Sequence, residues 1–299
     1  MSAPPTRRRW QVADAFGDGN IEIAGLDWGG SGPLALLHHA NGFCAATWTL
    51  VARGLAGSHR VIAIDARGHG DSGTRPIPEG YQWDFFASDL TQVARQLLEE
   101  TGQPSVEFGI GSSMGGIVTA ASEARNPGLF QRIAMLDPPL HPLPELRARL
   151  GLGVAAPNAD LVAMTRKRKT IWPSRAIARQ AWQDKPLFRE WVPAAFDAYL
   201  EEGLGDRPDG TVALKCDPGV EAAIFETTGS MDTFELAPRV SAPVLLVRAL
   251  QGRAPGAAFE HLAGLLPRCT YREVDAGHLL PMESPELTLA LLAEFTEGG

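Results

Sequence analysis

Phe108-Gly109-Ile110-Gly111-Ser112-Ser113-Met114-Gly115-Gly116 joins a β-rich run, Ser105 to Gly111, to a helix-forming one, Met114 to Arg125. A Gly-x-Ser-x-Gly sequence between strand and helix is a nucleophile elbow. Such a turn strains the serine backbone and crowds the residues two before and two after it, where Gly111 and Gly115 supply the small residues required. It lifts the Ser113 hydroxyl above the sheet edge and aims the free N–H groups of a helix N-terminus at any negative charge formed there. Ser112 is a rival, but its second neighbours are Ile110 and Met114, so the attack is assigned to Ser113.

Outward from the elbow, short β-rich runs alternate with helical ones. Ile21 to Asp27, Leu34 to His38, Arg60 to Asp65 and Ile133 to Asp137 have strand character; Trp48 to Leu55 and Phe85 to Glu100 read as helices. Phe86, Leu90, Val93 and Leu97 form one apolar face at three-to-four spacing. This alternation predicts an α/β fold with a mostly parallel central sheet covered by helices on both faces. From Leu140 to Phe234 the strand pattern stops and Ala-, Arg- and Trp-rich helical segments punctuated by prolines such as Pro157 take over; strands resume at Pro243 to Arg248 and Thr270 to Val274. The expected organisation is a core of residues 1–139 and 236–299 with a helical lid, 140–235, inserted after strand 6. Trp172, Trp182, Phe188, Trp191 and Phe196 are expected to form the lid's interior rather than a pocket wall, and the basic run Arg166 to Lys169 a solvated helix face.

A chain of 299 residues, 44% hydrophobic, is long enough for one large core. Its formal charge of −8 argues against nucleic acid or an anionic membrane as partner, and no apolar run approaches the ~20 residues of a membrane span. The basic N-terminus, Met1 to Trp10, lacks the apolar stretch of an export signal and is expected to be a solvated tail. Cys44, Cys216 and Cys269 are odd in number and far apart, which points away from a disulfide framework and toward a reducing cytoplasm. The seven histidines form no metal-ligand spacing, so neither metal nor cofactor is expected.

Three further motifs carry a resemblance. Leu37-His38-His39-Ala40-Asn41-Gly42-Phe43, followed by Trp48, resembles the loop after the third strand of the α/β-hydrolase family, with Ala40 where His-Gly is common. Asp65-Ala66-Arg67-Gly68-His69-Gly70-Asp71-Ser72 is similar to the family's D-x-R-G-x-G-x-S segment, and Val274-Asp275-Ala276-Gly277-His278 to its histidine loop. With the elbow, the resemblance covers nearly all of the chain outside the inserted block. It implies His278 as the base, His38, His39 and His69 as braces beneath the site, and the N–H groups of Asn41 and Met114 as an oxyanion hole. The Asn41 side chain is left between a substrate contact and a local turn role.

For the acid, the family usually places Asp after the strand that is here Val244 to Arg248, but the loop Ala249 to Gly256 holds no carboxylate, and Gly252 occupies the place. Some members carry it one strand earlier, where Asp137 stands; Asp137 is preferred, with Asp275 a weaker rival. The resemblance implies a serine hydrolase acting on a small ester, lactone or related acyl compound through an acyl-enzyme. Carbon–carbon bond hydrolysis, perhydrolysis and hydroxynitrile lysis use the same residues, and a non-catalytic ligand-binding role is the alternative of another class. A homodimer is left open.

Overall fold

A computed structural model describes residues 4–152 and 158–298. Eight strands form the main sheet: β1 (Thr6–Ala13), β2 (Asn20–Gly29), β3 (Leu34–His38), β4 (Arg60–Ile64), β5 (Val106–Ser112) and β6 (Phe130–Leu136), with the two strands of 244–249 and 269–274. Between β6 and that last pair lie three short strands, β7 (Ile171–Trp172), β8 (Leu204–Asp206) and β9 (Val212–Leu214), so the final core strands are β10 (Val244–Ala249) and β11 (Cys269–Val274). The main sheet runs β1-β2-β4-β3-β5-β6-β10-β11; β1 and β2 are antiparallel to their neighbours and all the others are parallel. Every residue of β3 is buried, as expected of a parallel strand covered on both faces.

Helices α1 (Thr49–Leu55), α2 (Trp83–Thr101) and α3 (Met114–Arg125) connect the first six strands. The periodicity of α2 acts as read: Phe86, Leu90, Val93 and Leu97 are fully buried, each stabilising the fold by about 1.5–3 kcal/mol. Gly102, at φ 66°, ends this helix in the left-handed conformation that glycine adopts without penalty. The insertion carries α4 (Pro144–Arg149), α5 (Ala159–Arg166), α6 (Arg175–Trp182), α7 (Pro193–Glu202), α8 (Pro218–Glu226) and α9 (Thr233–Leu236). After β10 come α10 (Gly256–Leu265), α11 (Leu280–Glu283) and α12 (Pro285–Glu297).

Three expectations need correction. The basic N-terminus is no solvated tail from Thr6 onward: it is edge strand β1, with Trp10 and Val12 buried. Arg7 pairs with Asp71 and Glu202, Arg8 with Asp27 and Glu100, and Arg9 with Glu22, which neutralises the run across the sheet edge. Residues 1–3 of that segment lie outside the described residues, as does Pro157. The inserted block is not purely helical, because β7, β9 and β8 form a small antiparallel sheet. Nor is the run Arg166 to Lys169 one solvated face: Arg168 is mostly buried against Glu221, and the Lys169 ammonium lies 4.2 Å from the centroid of the Trp172 ring.

The insertion shares the main core. Trp182, Phe188, Trp191, Phe196 and Tyr199 are buried together with Phe43 and the residues of β3 and β4 that face the same side of the sheet. Trp182 and Phe188 stack with centroids 5.5 Å apart, an arrangement that adds about 0.5–1.5 kcal/mol beyond burial. Four of the five aromatics named from sequence are therefore interior, and Trp172 is half-buried. Among the described residues no helix is long and apolar enough to cross a membrane.

Candidate active site

The C-terminal ends of parallel strands share one edge of the sheet, and the loops leaving them converge there. At the end of β5, Ser113 has φ 53° and ψ −120°, a strained conformation held by hydrogen bonds on both sides: its N–H donates to the Leu136 carbonyl (2.9 Å), and its carbonyl accepts from the Gly116 N–H (3.0 Å). A Cβ at Gly111 would overlap the Gly115 carbonyl, and one at Gly115 would overlap the His38 carbonyl oxygen. The elbow therefore tolerates no side chain at either position, for the crowding reason anticipated from sequence.

One residue past β6, Asp137 is the other non-glycine residue at positive φ (44°) among the described residues. Its N–H donates to the Val247 carbonyl (2.8 Å), and its Oδ1 accepts from the Ala249 N–H (2.9 Å), both on β10. Its Oδ2 faces His278 Nδ1 at 2.6 Å, and His278 Nε2 lies 3.0 Å from Ser113 Oγ. A carboxylate can only accept, so Nδ1 carries the imidazole proton and Nε2 is left to accept from the serine hydroxyl. Asp137 is 2% exposed, whereas the His278 side chain is 40% exposed, so the chain runs from a buried acid to a base that meets solvent.

The same geometry explains the loop without a carboxylate. A Cβ at Gly252 would overlap Asp137 Oδ2 and stand 2.9 Å from the Ala249 carbonyl oxygen. The space where the commoner acid would begin is filled by the carboxylate of Asp137. The rivals lie apart: the exposed Asp275 accepts from Gln251 Nε2 (3.1 Å), and the Ser112 hydroxyl is buried with no hydrogen-bond partner among the described residues.

His38 on β3 is in register with Gly111 on β5, so the loop that follows β3 runs beside the elbow. Ala40 avoids positive φ, which is why Ala serves where Gly is common in the family; Gly42, at φ 84°, takes the left-handed position instead. Neither the Asn41 N–H nor the Met114 N–H has a hydrogen-bond acceptor among the described residues. The Asn41 side chain donates through Nδ2 to the Glu221 carbonyl at 3.0 Å. Glu221 is 180 residues away in the sequence, so this bond ties the loop to the insertion and is not a turn within the loop.

The other histidines brace this loop. His39 donates from Nδ1 to the Ala40 carbonyl (2.7 Å) and accepts the Ala66 N–H at Nε2 (2.9 Å); His69 donates to the Arg67 carbonyl and accepts the Gly42 N–H, each at 3.0 Å. Burial pushes His38 and His69 down to about 4 and His39 well below its usual value, so all three are neutral near pH 7. Beneath them Arg67 is fully buried between Asp89 and Asp14, and Asp65 accepts the Ala45 and Asp71 N–H groups. The D-x-R-G-x-G-x-S segment thus ties the loop floor to α2 and β1.

Sequence reading missed two sets of residues. Glu283 approaches from α11: a Cβ at Gly277 would overlap its carboxylate, and burial raises its pKa while the nearby His278 lowers it. Tyr199 and Glu221 of the insertion meet the Asn41–Gly42 turn, and Arg168 pairs with Glu221. No local motif marks either set; the second meets residues more than 150 positions away in the chain. Among the described residues no group of three His, Cys, Asp or Glu side chains could hold a metal ion. The arrangement suits transfer of a serine proton to an imidazole, with two backbone donors that have no acceptor among the described residues, one on the loop after β3 and one at the N-terminus of α3.

Over residues 35–291 the sequence matches the family described as the alpha/beta hydrolase family. It is 33% identical to Esterase Rv0045c of Mycobacterium tuberculosis over 115 residues, which span 38% of this chain and 36% of that protein. With the abhydrolase domain-containing protein AFT2-1 of Alternaria alternata it shares 25% identity over 232 residues, 65% of this chain and 84% of that one. Among solved structures, E-2-(acetamidomethylene)succinate hydrolase superposes with a TM-score of 0.76 at 22% identity, covering 98% of this chain and 100% of that one. The peroxisomal α/β-hydrolase Lpx1 of Saccharomyces cerevisiae gives 0.77 at 14% identity, covering 99% and 91%. At such identities the superpositions speak to fold, and the family match spans most of the sequence: the chain belongs to the alpha/beta hydrolase family.

Proposed function

We propose that the protein is a serine hydrolase that cleaves a small ester, lactone or related acyl compound through an acyl-enzyme. The observation that carries this reading is the continuous chain from Ser113 Oγ to His278 Nε2 (3.0 Å) and from His278 Nδ1 to Asp137 Oδ2 (2.6 Å). Ser113 Oγ attacks the acyl carbon while His278 Nε2 takes its proton. Charge gathers on the former carbonyl oxygen, where the N–H groups of Met114 and Asn41 donate. The imidazolium, held by Asp137, returns the proton to the leaving group. Water then repeats the sequence on the acyl-enzyme, and Ser113 is regenerated.

Relatives named esterase and hydrolase support the class of reaction. The test is a panel of simple aryl esters, lactones and vinylogous diketones run on wild type and Ser113→Ala. Turnover of esters or lactones that Ser113→Ala abolishes supports the reading. Turnover of the diketones alone would move the assignment to carbon–carbon bond hydrolysis, and equal turnover by both proteins would remove Ser113 from the mechanism.

A further inference from the structure

The Asn41–Gly42 turn is held from two sides. From the core, the Gly42 N–H donates to His69 Nε2 (3.0 Å), and the Ala40 carbonyl accepts from His39 Nδ1 (2.7 Å) and from the Phe43 N–H (3.3 Å). From the insertion, the Tyr199 hydroxyl on α7 donates to the Gly42 carbonyl (3.4 Å), and the Glu221 carbonyl on α8 accepts from Asn41 Nδ2 (3.0 Å). The Glu221 side chain lies against Gly42 so closely that a Cβ there would sit 2.7 Å from its Cδ. Arg168, two residues past α5, forms an ion pair with the Glu221 carboxylate, and both side chains are largely buried. The backbone groups on either side of Asn41 are thus satisfied, while its own N–H has no acceptor among the described residues.

We propose that Arg168, Glu221 and Tyr199 are positioning residues, through which the insertion fixes the Asn41 N–H as an oxyanion donor. The inference rests on the reading of the site given above. A free donor contributes to catalysis only if it is oriented before charge develops, because reorientation during the reaction cancels its advantage. Two helices of the insertion, α7 and α8, converge on one turn of the core, with Arg168 behind α8, and leave one backbone donor without an acceptor among the described residues. Glu221 reaches Asn41 through its main chain, and its charged side chain, neutralised by Arg168, packs against Gly42, so the ion pair controls where that carbonyl stands.

The test compares wild type with Arg168→Met/Glu221→Gln, which removes both buried charges together, with Tyr199→Phe, and with the conservative Arg168→Lys. Thermal unfolding first establishes that each variant is folded. Hydrogen exchange of the peptide spanning residues 38–46 then reads the clamp, and kcat and KM on a simple aryl ester read its consequence. The double variant is expected to exchange roughly tenfold faster in that peptide, with kcat down ~10–100-fold, less than the ~10²–10³ for losing a donor outright. KM should stay within about threefold. The pH profile of kcat should keep its shape, and Arg168→Lys should recover most of the rate. Unchanged exchange in the folded double variant, or faster exchange with kcat within about twofold of wild type, overturns the proposal. Wild type that neither turns over esters nor reacts at Ser113 instead overturns the reading of the site, and is seen before any variant is made.

Discussion

Asp137→Asn changes one atom in kind and almost nothing in shape, so its effect can be worked out from the hydrogen bonds. Asp137 Oδ1 accepts from the Ala249 N–H at 2.9 Å, and Oδ2 accepts from His278 Nδ1 at 2.6 Å. An amide has one oxygen for these two donors. Turning its NH2 toward the Ala249 N–H would set two buried donors against each other, at about 1–3 kcal/mol. The oxygen therefore stays on Ala249 and the NH2 faces His278, which favours the tautomer with its proton on Nε2. That nitrogen then cannot accept from Ser113 Oγ. Recovering the competent tautomer costs about 1–3 kcal/mol, and losing the charge-assisted bond to the imidazolium costs a further ~1.5–3 kcal/mol. At 1.36 kcal/mol per tenfold the sum corresponds to a fall of ~10²–10⁴ in kcat. The assay is steady-state hydrolysis of an activated aryl ester, with the thermal midpoint measured alongside. A folded Asp137→Asn protein with kcat within threefold of wild type would refute the assignment of Asp137 as the group that orients His278.

Gly252→Ala places a methyl group where Asp137 Oδ2 lies, so kcat should fall by tenfold or more in a protein that remains folded; circular dichroism and ester turnover check this, and unchanged turnover would mean that the carboxylate has room to move. His38, His39 and His69 are held neutral by burial, with His38 and His69 at about 4 against 6.5 in a free chain. The unfolded chain therefore binds more protons than the native one between about pH 4 and 6.5; the stability these groups contribute is complete above that window and is lost as pH falls through it. Proton NMR of the imidazoles should show none of the three titrating between pH 8 and 5.5, and a midpoint above 5.5 for any of them would contradict their buried, neutral role.

Periodicity carried the central sheet because the inner parallel strands β3, β4, β5 and β10 are buried along most of their length, and glycines mark the elbow after β5. The strand–Ser–helix passage and the Asp137 alternative were legible for that reason: a glycine at 252 and an aspartate at the end of the preceding strand are both visible in one dimension. Edge strand β1 was not, because only Trp10 and Val12 of its eight residues reach the core. Its three arginines look like a tail until Asp71, Glu202, Asp27, Glu100 and Glu22 are brought to them by folding. The small sheet of the insertion has strands of two or three residues, too short for any alternation to register. Arg168 read as solvated for a related reason: its partner Glu221 is 53 residues away. The direction of the Asn41 side chain depended on the same distant helix.

The central claim is that Ser113 is an activated nucleophile. The most direct measurement is the intact mass of wild type and Ser113→Ala after treatment with a fluorophosphonate, followed by peptide mapping. One adduct on wild type, located at Ser113 and absent from Ser113→Ala, is the expected result. A folded wild type that gains no adduct, or a Ser113→Ala protein labelled as readily, would contradict the assignment.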